Sequence, residues 1–302
     1  MRLRGVLGPV RAWTAVAVVV VLGAVAVAHA ASRLAEDDAP PSPSPSRGAA
    51  PAAAPPPLPA LDEHVAHGPR TLARRLRETA VRLDEDAARW RRDDGLRGTS
   101  PPTAVTRLAT YESRMIAALA ARPGLGRAVL RRLPARLAHR VAPEVRALRE
   151  LRRLHALSQR RPGPPPKVRL GPPAPAAALL RHYRAAQRRF GVGWHVLAAV
   201  NYVESRFGRY RNESISGARG PMQFMPATWR AYGLGGDVRR PRDAILGAAN
   251  LLRANGAPRD YRRALYHYNP SSLYVRTVRM YANRMARDPR AYPILYAREV
   301  VR

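Results

Sequence analysis

Acidic residues are scarce in the C-terminal part of the sequence, so the carboxylates that could do chemistry can be considered singly. After residue 175 there are seven of them: Glu204, Glu213, Asp237, Asp243, Asp260, Asp288 and Glu299. Five have ordinary structural roles, because they fall at the first turn of a predicted helix, in a glycine-rich turn, before a proline or near the end of the sequence. Glu204 has no such role and is the first candidate for catalysis.

Glu204 lies on the apolar side of a predicted helix. It belongs to a stripe whose members are spaced by three, four and three residues: Leu197, Val200, Glu204 and Phe207. A carboxyl group on such a stripe is partly desolvated, which raises its pKa and suits it to donate a proton near neutral pH. The alternative is a glutamate at the edge of the stripe that pairs with Arg206 or Arg209 at the surface, and position alone leaves both open.

The segment that follows combines aromatic, thioether and amide side chains. A short loop, 214–220, leads into Pro221-Met222-Gln223-Phe224-Met225-Pro226 and then Thr228-Trp229. Aromatic rings cover the apolar faces of sugars, while amides reach their hydroxyl and acetamido groups, so this run favours carbohydrate binding. Packing of Met222, Phe224 and Trp229 beneath the loop is the structural alternative.

Three ordered blocks resemble the lytic transglycosylases with the goose-type-lysozyme-like fold, and among them the actinobacterial type. The blocks resemble the family's Glu-Ser, Gly-Leu-Met-Gln and Ala-Tyr-Asn motifs in turn: Val203-Glu204-Ser205-Arg206-Phe207, Gly217-Ala218-Arg219-Gly220-Pro221-Met222-Gln223-Phe224-Met225-Pro226 and Ala264-Leu265-Tyr266-His267-Tyr268-Asn269. The resemblance covers about 176–286. Pro221 replaces a usual leucine and His267 a usual alanine, which bears on the shape of the subsites more than on the reaction.

The resemblance implies a role for each matching residue. Glu204 would be the single catalytic acid and base, and six neighbours would bind or orient the substrate: Ser205, Met222, Gln223, Phe224, Tyr268 and Asn269. The implied reaction cleaves the bond between N-acetylmuramic acid and N-acetylglucosamine in peptidoglycan without water, closing a 1,6-anhydro ring during cell-wall remodelling. It needs neither a metal nor a cofactor. It also needs no second carboxylate, which ordinary glycosidases require.

Helical patterns predict the elements that position these residues. Apolar residues recur at helical spacing from 176 onward, with Gly191 and Gly193 ending the first helix, and proline at the start of two later ones, at Pro226 and Pro241. No strand pairs are evident. The prediction is an all-α, lysozyme-like catalytic domain over 176–288, followed by a C-terminal tail over 289–302.

The N-terminal half reads as a leader, two linkers and a second helical region. Residues 1–31 carry arginines before an apolar run, which predicts a signal peptide or a membrane anchor. Proline-rich linkers are predicted over 32–61 and 161–175. Between them, 62–160 predicts an arginine-rich accessory region of about four helices, one of which should end at Pro143. His64 and His67 are expected to be solvated and to bind no metal.

Composition alone suggests a negatively charged partner. The 302 residues include 53 Lys plus Arg against 21 Asp plus Glu, giving a formal charge of +32, and no cysteine, which excludes a disulfide scaffold. An exported protein is exposed to peptidoglycan and the membrane but not to nucleic acid, so we expect its partners to be glycan strands and the membrane. We also expect a monomer that is secreted, or located at the cell membrane and facing the cell wall. The alternatives are a lysozyme-like hydrolase and a non-catalytic basic protein that binds the cell wall or another polyanion.

Overall fold

The computed structural model describes residues 56–98, 100–158, 168–214 and 216–300, without the side chains of 154–158. This described part is all-helical: it contains eleven α-helices, two isolated β-bridges and no strand. The helices are α1 (Pro69–Asp93), α2 (Thr103–Ala121), α3 (Pro123–Leu130), α4 (Ala135–Ser158), α5 (Ala176–Phe190), α6 (Trp194–Ser205), α7 (Pro226–Tyr232), α8 (Pro241–Ala254), α9 (Tyr261–Tyr268), α10 (Ser272–Arg287) and α11 (Ala291–Ala297).

The predicted leader, 1–31, lies outside the described residues, as do 32–55 of the first predicted linker and 161–167 of the second. None of the helices that the structure describes is both long enough and apolar enough to cross a bilayer.

Helix ends in the C-terminal half follow the predicted signals. Gly191 ends α5 in the left-handed conformation, with φ of 70°. Pro226 and Pro241 open α7 and α8 at their first turns. The stripe that contains Glu204 is shorter than predicted, because α6 ends at Ser205 and Phe207 belongs to the turn that follows.

The accessory region contains the four predicted helices with different bounds. The prediction that a helix ends at Pro143 was wrong, since α4 continues through this residue to Ser158. Val141 and Val145, on either side of the proline, are each only 1% exposed. Burial of this apolar face outweighs the loss of one backbone hydrogen bond.

The two helical regions share one hydrophobic core. It joins Leu83 and Trp90 of α1 and Leu108 of α2 to residues of α5, α6, α8, α9, α10 and α11. A second core lies within the accessory region, between α1, α2, α3 and α4. The accessory helices therefore pack directly against the domain that carries the predicted site.

The predicted C-terminal tail contains a buried helix. Every residue of α11, Ala291–Ala297, is buried. The Tyr292 hydroxyl donates a hydrogen bond to the carbonyl of Ala176, and the Tyr296 hydroxyl donates one to the carbonyl of Ala174. These contacts hold the start of α5 and the end of the described chain together.

Candidate active site

Glu204 occupies the last turn of α6 and is only 8% exposed. Burial raises the pKa of its carboxyl group to about 8, because the charged form loses the solvation that water would give it. Neither arginine of the surface-pair alternative reaches it: Arg206 binds the hydroxyl of Tyr202, and Arg209 donates to the carbonyls of Arg206 and Tyr296. Near neutral pH the carboxyl group is therefore mainly protonated and able to donate a proton.

Two tyrosines face Glu204. The Tyr274 hydroxyl interacts with its carboxyl group and partly opposes the rise in the Glu204 pKa, but it forms no hydrogen bond of normal geometry within the described part of the chain. Burial raises the pKa of the Tyr268 hydroxyl well above its usual value, and the charge of Glu204 raises it further. The two tyrosine rings are stacked, with centroids 6.2 Å apart. The carboxyl group thus lies against uncharged aromatic groups.

Ser205 fastens the end of α6 to the next segment. Its side chain is fully buried, and its hydroxyl donates a hydrogen bond to the carbonyl of Pro221. The same hydroxyl oxygen accepts a hydrogen bond of 2.8 Å from the amide of Gly208. These contacts suit an orienting role for Ser205 better than direct contact with a ligand.

A tight turn brings the predicted sugar-binding run beneath α6. Arg219 and Phe224 exchange backbone hydrogen bonds of 2.9 Å in both directions. Gly220 has a φ of +72°, and a Cβ atom there would lie 1.9 Å from the carbonyl oxygen of Val238, so only glycine fits. Gln223 also has a positive φ, of 49°, and its side-chain amide donates to the carbonyl of Gly220 at 3.0 Å.

The other residues of this run pack toward Tyr268. The Tyr268 hydroxyl donates a hydrogen bond of 2.6 Å to the carbonyl of Met222. Phe224 lies between Tyr268 and Trp229, with ring centroids 5.8 Å and 5.1 Å away. Met222 is fully buried and Phe224 is 2% exposed, so both side chains pack inside, whereas Gln223 and Trp229 are partly exposed.

Two buried amide groups lack partners. The side-chain oxygen of Asn269, which directly follows Tyr268, accepts no hydrogen bond from any described residue. Neither polar atom of the Asn201 side chain, one turn before Ser205, has a partner among those residues either. An unpaired buried amide is costly, so a hydrogen-bond partner at any of these atoms would be stabilising.

The other acidic residues after 175 have the structural roles that were predicted, or pair with arginine. Asp260 caps α9 by accepting a hydrogen bond from the amide of Arg263. Asp243, in the first turn of α8, accepts one from the amide of Asp237. Exposed Glu213 pairs with Arg219 at 3.1 Å. None of them contributes to the raised pKa of Glu204, so no carboxylate in the described part of the chain is close enough to affect it.

The structure brings the predicted residues of the three blocks together. Tyr268 lies close enough to Glu204 to be affected by its charge and hydrogen-bonds the backbone of Met222, and Ser205 hydrogen-bonds the carbonyl of Pro221. Tyr274 was missed. The sequence pattern did not single it out, although the hydroxyl of a buried tyrosine needs a polar neighbour.

A cavity of about 340 Å³ lies elsewhere, at the opposite end of α6. Its lining includes His195, Tyr261, Arg262 and Arg279 and none of the predicted site residues. The predicted site residues therefore lie outside this cavity.

Two comparisons match part of this chain to known proteins. Residues 181–288 match the family described as "Transglycosylase SLT domain". A stretch of 74 residues is 36% identical to "Membrane-bound lytic murein transglycosylase F" from Thiobacillus denitrificans, covering 24% of this chain and 15% of that protein. The chain therefore spans a small part of that relative, and neither match distinguishes an actinobacterial type. No solved structure matches the chain.

Proposed function

We propose that this chain, which carries a transglycosylase SLT domain over residues 181–288, is a peptidoglycan lytic transglycosylase. The observation that carries the proposal is the Glu204 carboxyl group, buried beside Tyr268 and Tyr274 with its pKa raised to about 8 and no carboxylate partner among the residues that the structure describes. A single protonated acid suits a reaction in which one group serves first as an acid and then as a base.

In the proposed first step, Glu204 gives its proton to the oxygen that joins N-acetylmuramic acid to N-acetylglucosamine. The bond from that oxygen to the muramyl anomeric carbon breaks, and the N-acetylglucosamine end leaves with a new hydroxyl group. The acetamido group of the muramyl residue stabilises the positive charge that develops at the anomeric carbon.

In the second step, the Glu204 carboxylate takes the proton of the muramyl C6 hydroxyl. The C6 oxygen bonds to the anomeric carbon and closes a 1,6-anhydro ring, so the carboxyl group regains its proton and no water is consumed. Because burial favours the neutral form of Glu204, recovery of the proton is favourable at the end of the cycle.

The remaining site residues are proposed to bind and orient the glycan. Partly exposed Gln223 and the unpaired oxygen of Asn269 suit contacts with acetamido and hydroxyl groups. Tyr268 and Ser205 would orient the catalytic region through their bonds to Met222 and Pro221. Buried Met222 and Phe224 would support the binding surface from within.

The location is part of the proposal. Residues 1–31 would tether the protein to the cell membrane or be removed on secretion, so that the helical domains face the cell wall as a monomer and take part in its remodelling. Membrane fractionation of the full chain beside a chain that begins at residue 32 would distinguish a tether from a cleaved leader.

Incubation of the purified protein with cell-wall sacculi in water enriched in ¹⁸O tests the reaction. We expect anhydromuropeptides without the heavy isotope, seen by mass spectrometry. Reducing ends that carry ¹⁸O would instead identify a lysozyme-like hydrolase, and binding without any product would identify a non-catalytic wall-binding protein.

Two variants test the assignment of Glu204. We expect Glu204→Gln to lose at least about a thousandfold in turnover, because the proton donor is gone. Glu213→Gln is the matched control, since Glu213 is an exposed acid in the same domain, paired only with surface arginines. Undiminished turnover in Glu204→Gln would refute the catalytic assignment.

A further inference from the structure

The back of α6 is held by a tyrosine on the side opposite Glu204. Tyr202 stands two residues before Glu204, which places the two side chains on different faces of the helix. Its ring is fully buried, with centroids 4.7 Å from the ring of Tyr281 and 5.3 Å from that of Phe207. Its hydroxyl accepts hydrogen bonds from Arg206 and, at 3.3 Å, from Arg298. Tyr202 is thus the polar anchor of this face.

Arg298 connects this anchor to the accessory helices. Its guanidinium group donates to Glu112 of α2 at 3.1 Å and to both oxygens of Glu144 of α4, while Tyr281 of α10 donates to Glu144 at 2.9 Å. All these side chains are buried, and Arg298 is 2% exposed. We call Glu112, Glu144, Tyr281 and Arg298 the charged junction.

The turn that follows Glu204 needs such support. Arg206, Phe207 and Gly208 have φ values of 52°, 62° and 86°, and two of these three left-handed residues carry side chains. Tyr292 and Tyr296 of α11 pack against the Phe207 ring, and Arg298 lies just beyond this helix. A strained turn persists only where its surroundings determine it, and here those surroundings are α11 and the charged junction.

We propose that Arg298 is a positioning residue, which couples the accessory helices to α6 through Tyr202 and fixes the orientation of the helix turn that carries Glu204. The junction lies outside residues 181–288, apart from Tyr281, so it adds to what the SLT domain itself provides. The proposal rests on the proposed function where turnover is measured. Its second measurement, the titration of Glu204, does not depend on activity.

Tyr202→Phe is the mildest test, because it keeps the packed ring and removes only the hydroxyl that Arg298 and Arg206 contact. We expect kcat on sacculi or purified glycan strands to fall about tenfold with KM unchanged, since glycan binding remains while the acid is misaligned. Equal turnover of this variant and the wild type would contradict the proposal.

A pair of variants separates positioning from stability. Arg298→Met alone leaves two buried carboxylates short of a cation and should melt at a much lower temperature. Adding Glu144→Gln restores the balance of charge, so the double variant should melt above the single variant while its kcat remains low. Recovery of both stability and kcat would reduce the junction to a purely structural element and overturn the proposal.

The matched control is the double variant Arg276→Met/Glu150→Gln. These residues form an ion pair of 2.6 Å that also joins α10 to α4, but both are exposed and neither touches Tyr202. Its kcat and melting temperature should stay close to those of the wild type.

Titration of ¹³C-labelled glutamate carboxyl groups by NMR supplies the readout without activity. In the wild type, Glu204 should titrate near pH 8, and in Tyr202→Phe its pKa should fall toward the ordinary value as the site loosens and admits water. If wild type leaves sacculi intact, the proposed function fails while this titration still tests the junction. If the pKa of Glu204 is unchanged in both Tyr202→Phe and the double variant, the proposal is overturned. If the double variant does not fold, an unchanged pKa in Tyr202→Phe alone overturns it.

Discussion

Two buried carboxyl groups on opposite sides of α6 have pKa values displaced in opposite directions. Glu204 is 8% exposed and its pKa rises to about 8, whereas Glu144 is 3% exposed and its pKa falls to about 2. Burial opposes ionisation at both places. Arg298 and Arg284 outweigh it at Glu144, while at Glu204 the hydroxyl of Tyr274 is the one described group that opposes it. The comparison teaches that the neighbours, and not the depth of burial, decide whether a carboxyl group here is a proton donor or a fixed anion.

Glu144→Gln should give the largest effect of this comparison on stability. It leaves Arg298 and Arg284 with one buried carboxylate fewer, so the free energy of unfolding should fall by about 3–5 kcal/mol. Denaturant unfolding at pH 7 measures the loss. Glu150→Gln, which removes an exposed acid of the same helix, should cost no more than about 1 kcal/mol, and equal losses from the two variants would show that the junction contributes no more than a surface pair.

Glu204→Gln should change stability in the other direction. A raised folded-state pKa means that the folded protein loses stability as pH rises from the ordinary value of 4.5 toward 8, by about 1.4 kcal/mol per unit at most. Glutamine avoids this loss, so the variant should be more stable than the wild type by roughly 3 kcal/mol at pH 7. Thermal unfolding of both proteins between pH 5 and pH 8 measures this difference in stability. A difference that does not grow with pH would contradict the raised pKa of Glu204.

Turnover should depend on pH through the same group. Glu204 must be protonated to begin the reaction, so kcat should be retained below its pKa and fall about tenfold per unit above pH 8. Single-turnover measurements on purified glycan strands would follow this alkaline decline of kcat. A decline that begins near pH 4.5 would mean that Glu204 is hydrated in the working enzyme.

Tyr274→Phe should produce the smallest change. The Tyr274 hydroxyl partly counteracts the effect of burial on Glu204, so its removal should raise the pKa of Glu204 further and move the alkaline limb upward by less than about one unit. The direction of this shift is the informative result, because a downward shift would mean that the hydroxyl oxygen accepts a hydrogen bond from the protonated carboxyl group instead of donating one to the carboxylate.

Much of the candidate active site around Glu204 could be predicted from the sequence. The spacing of Leu197, Val200 and Glu204 places the carboxyl group on a buried face, because helical periodicity is local. The structure confirms this burial and the helix ends at Gly191, Pro226 and Pro241. The partner Tyr274 was missed, since helical spacing cannot tell which buried tyrosine meets a carboxyl group on another helix.

The charged junction could not be predicted from the sequence. Arg298 is one of 53 basic residues, and nothing local distinguishes it from the others. Its partners Glu112 and Glu144 are 186 and 154 positions away in the sequence. The expected break at Pro143 failed for a related reason, because packing of α4 against α2, which is a property of the folded chain, outweighs the local cost of a proline.

The separation of 154 residues between Arg298 and Glu144 also has a consequence in time. During synthesis at roughly 5–20 residues per second, Glu144 is made on the order of ten seconds before Arg284 and Arg298, the two arginines that neutralise it. Until then Glu144 cannot be buried at low cost, so α4 cannot pack against α10 in its final arrangement. Completion of this fold therefore waits for one of the last described residues of the chain.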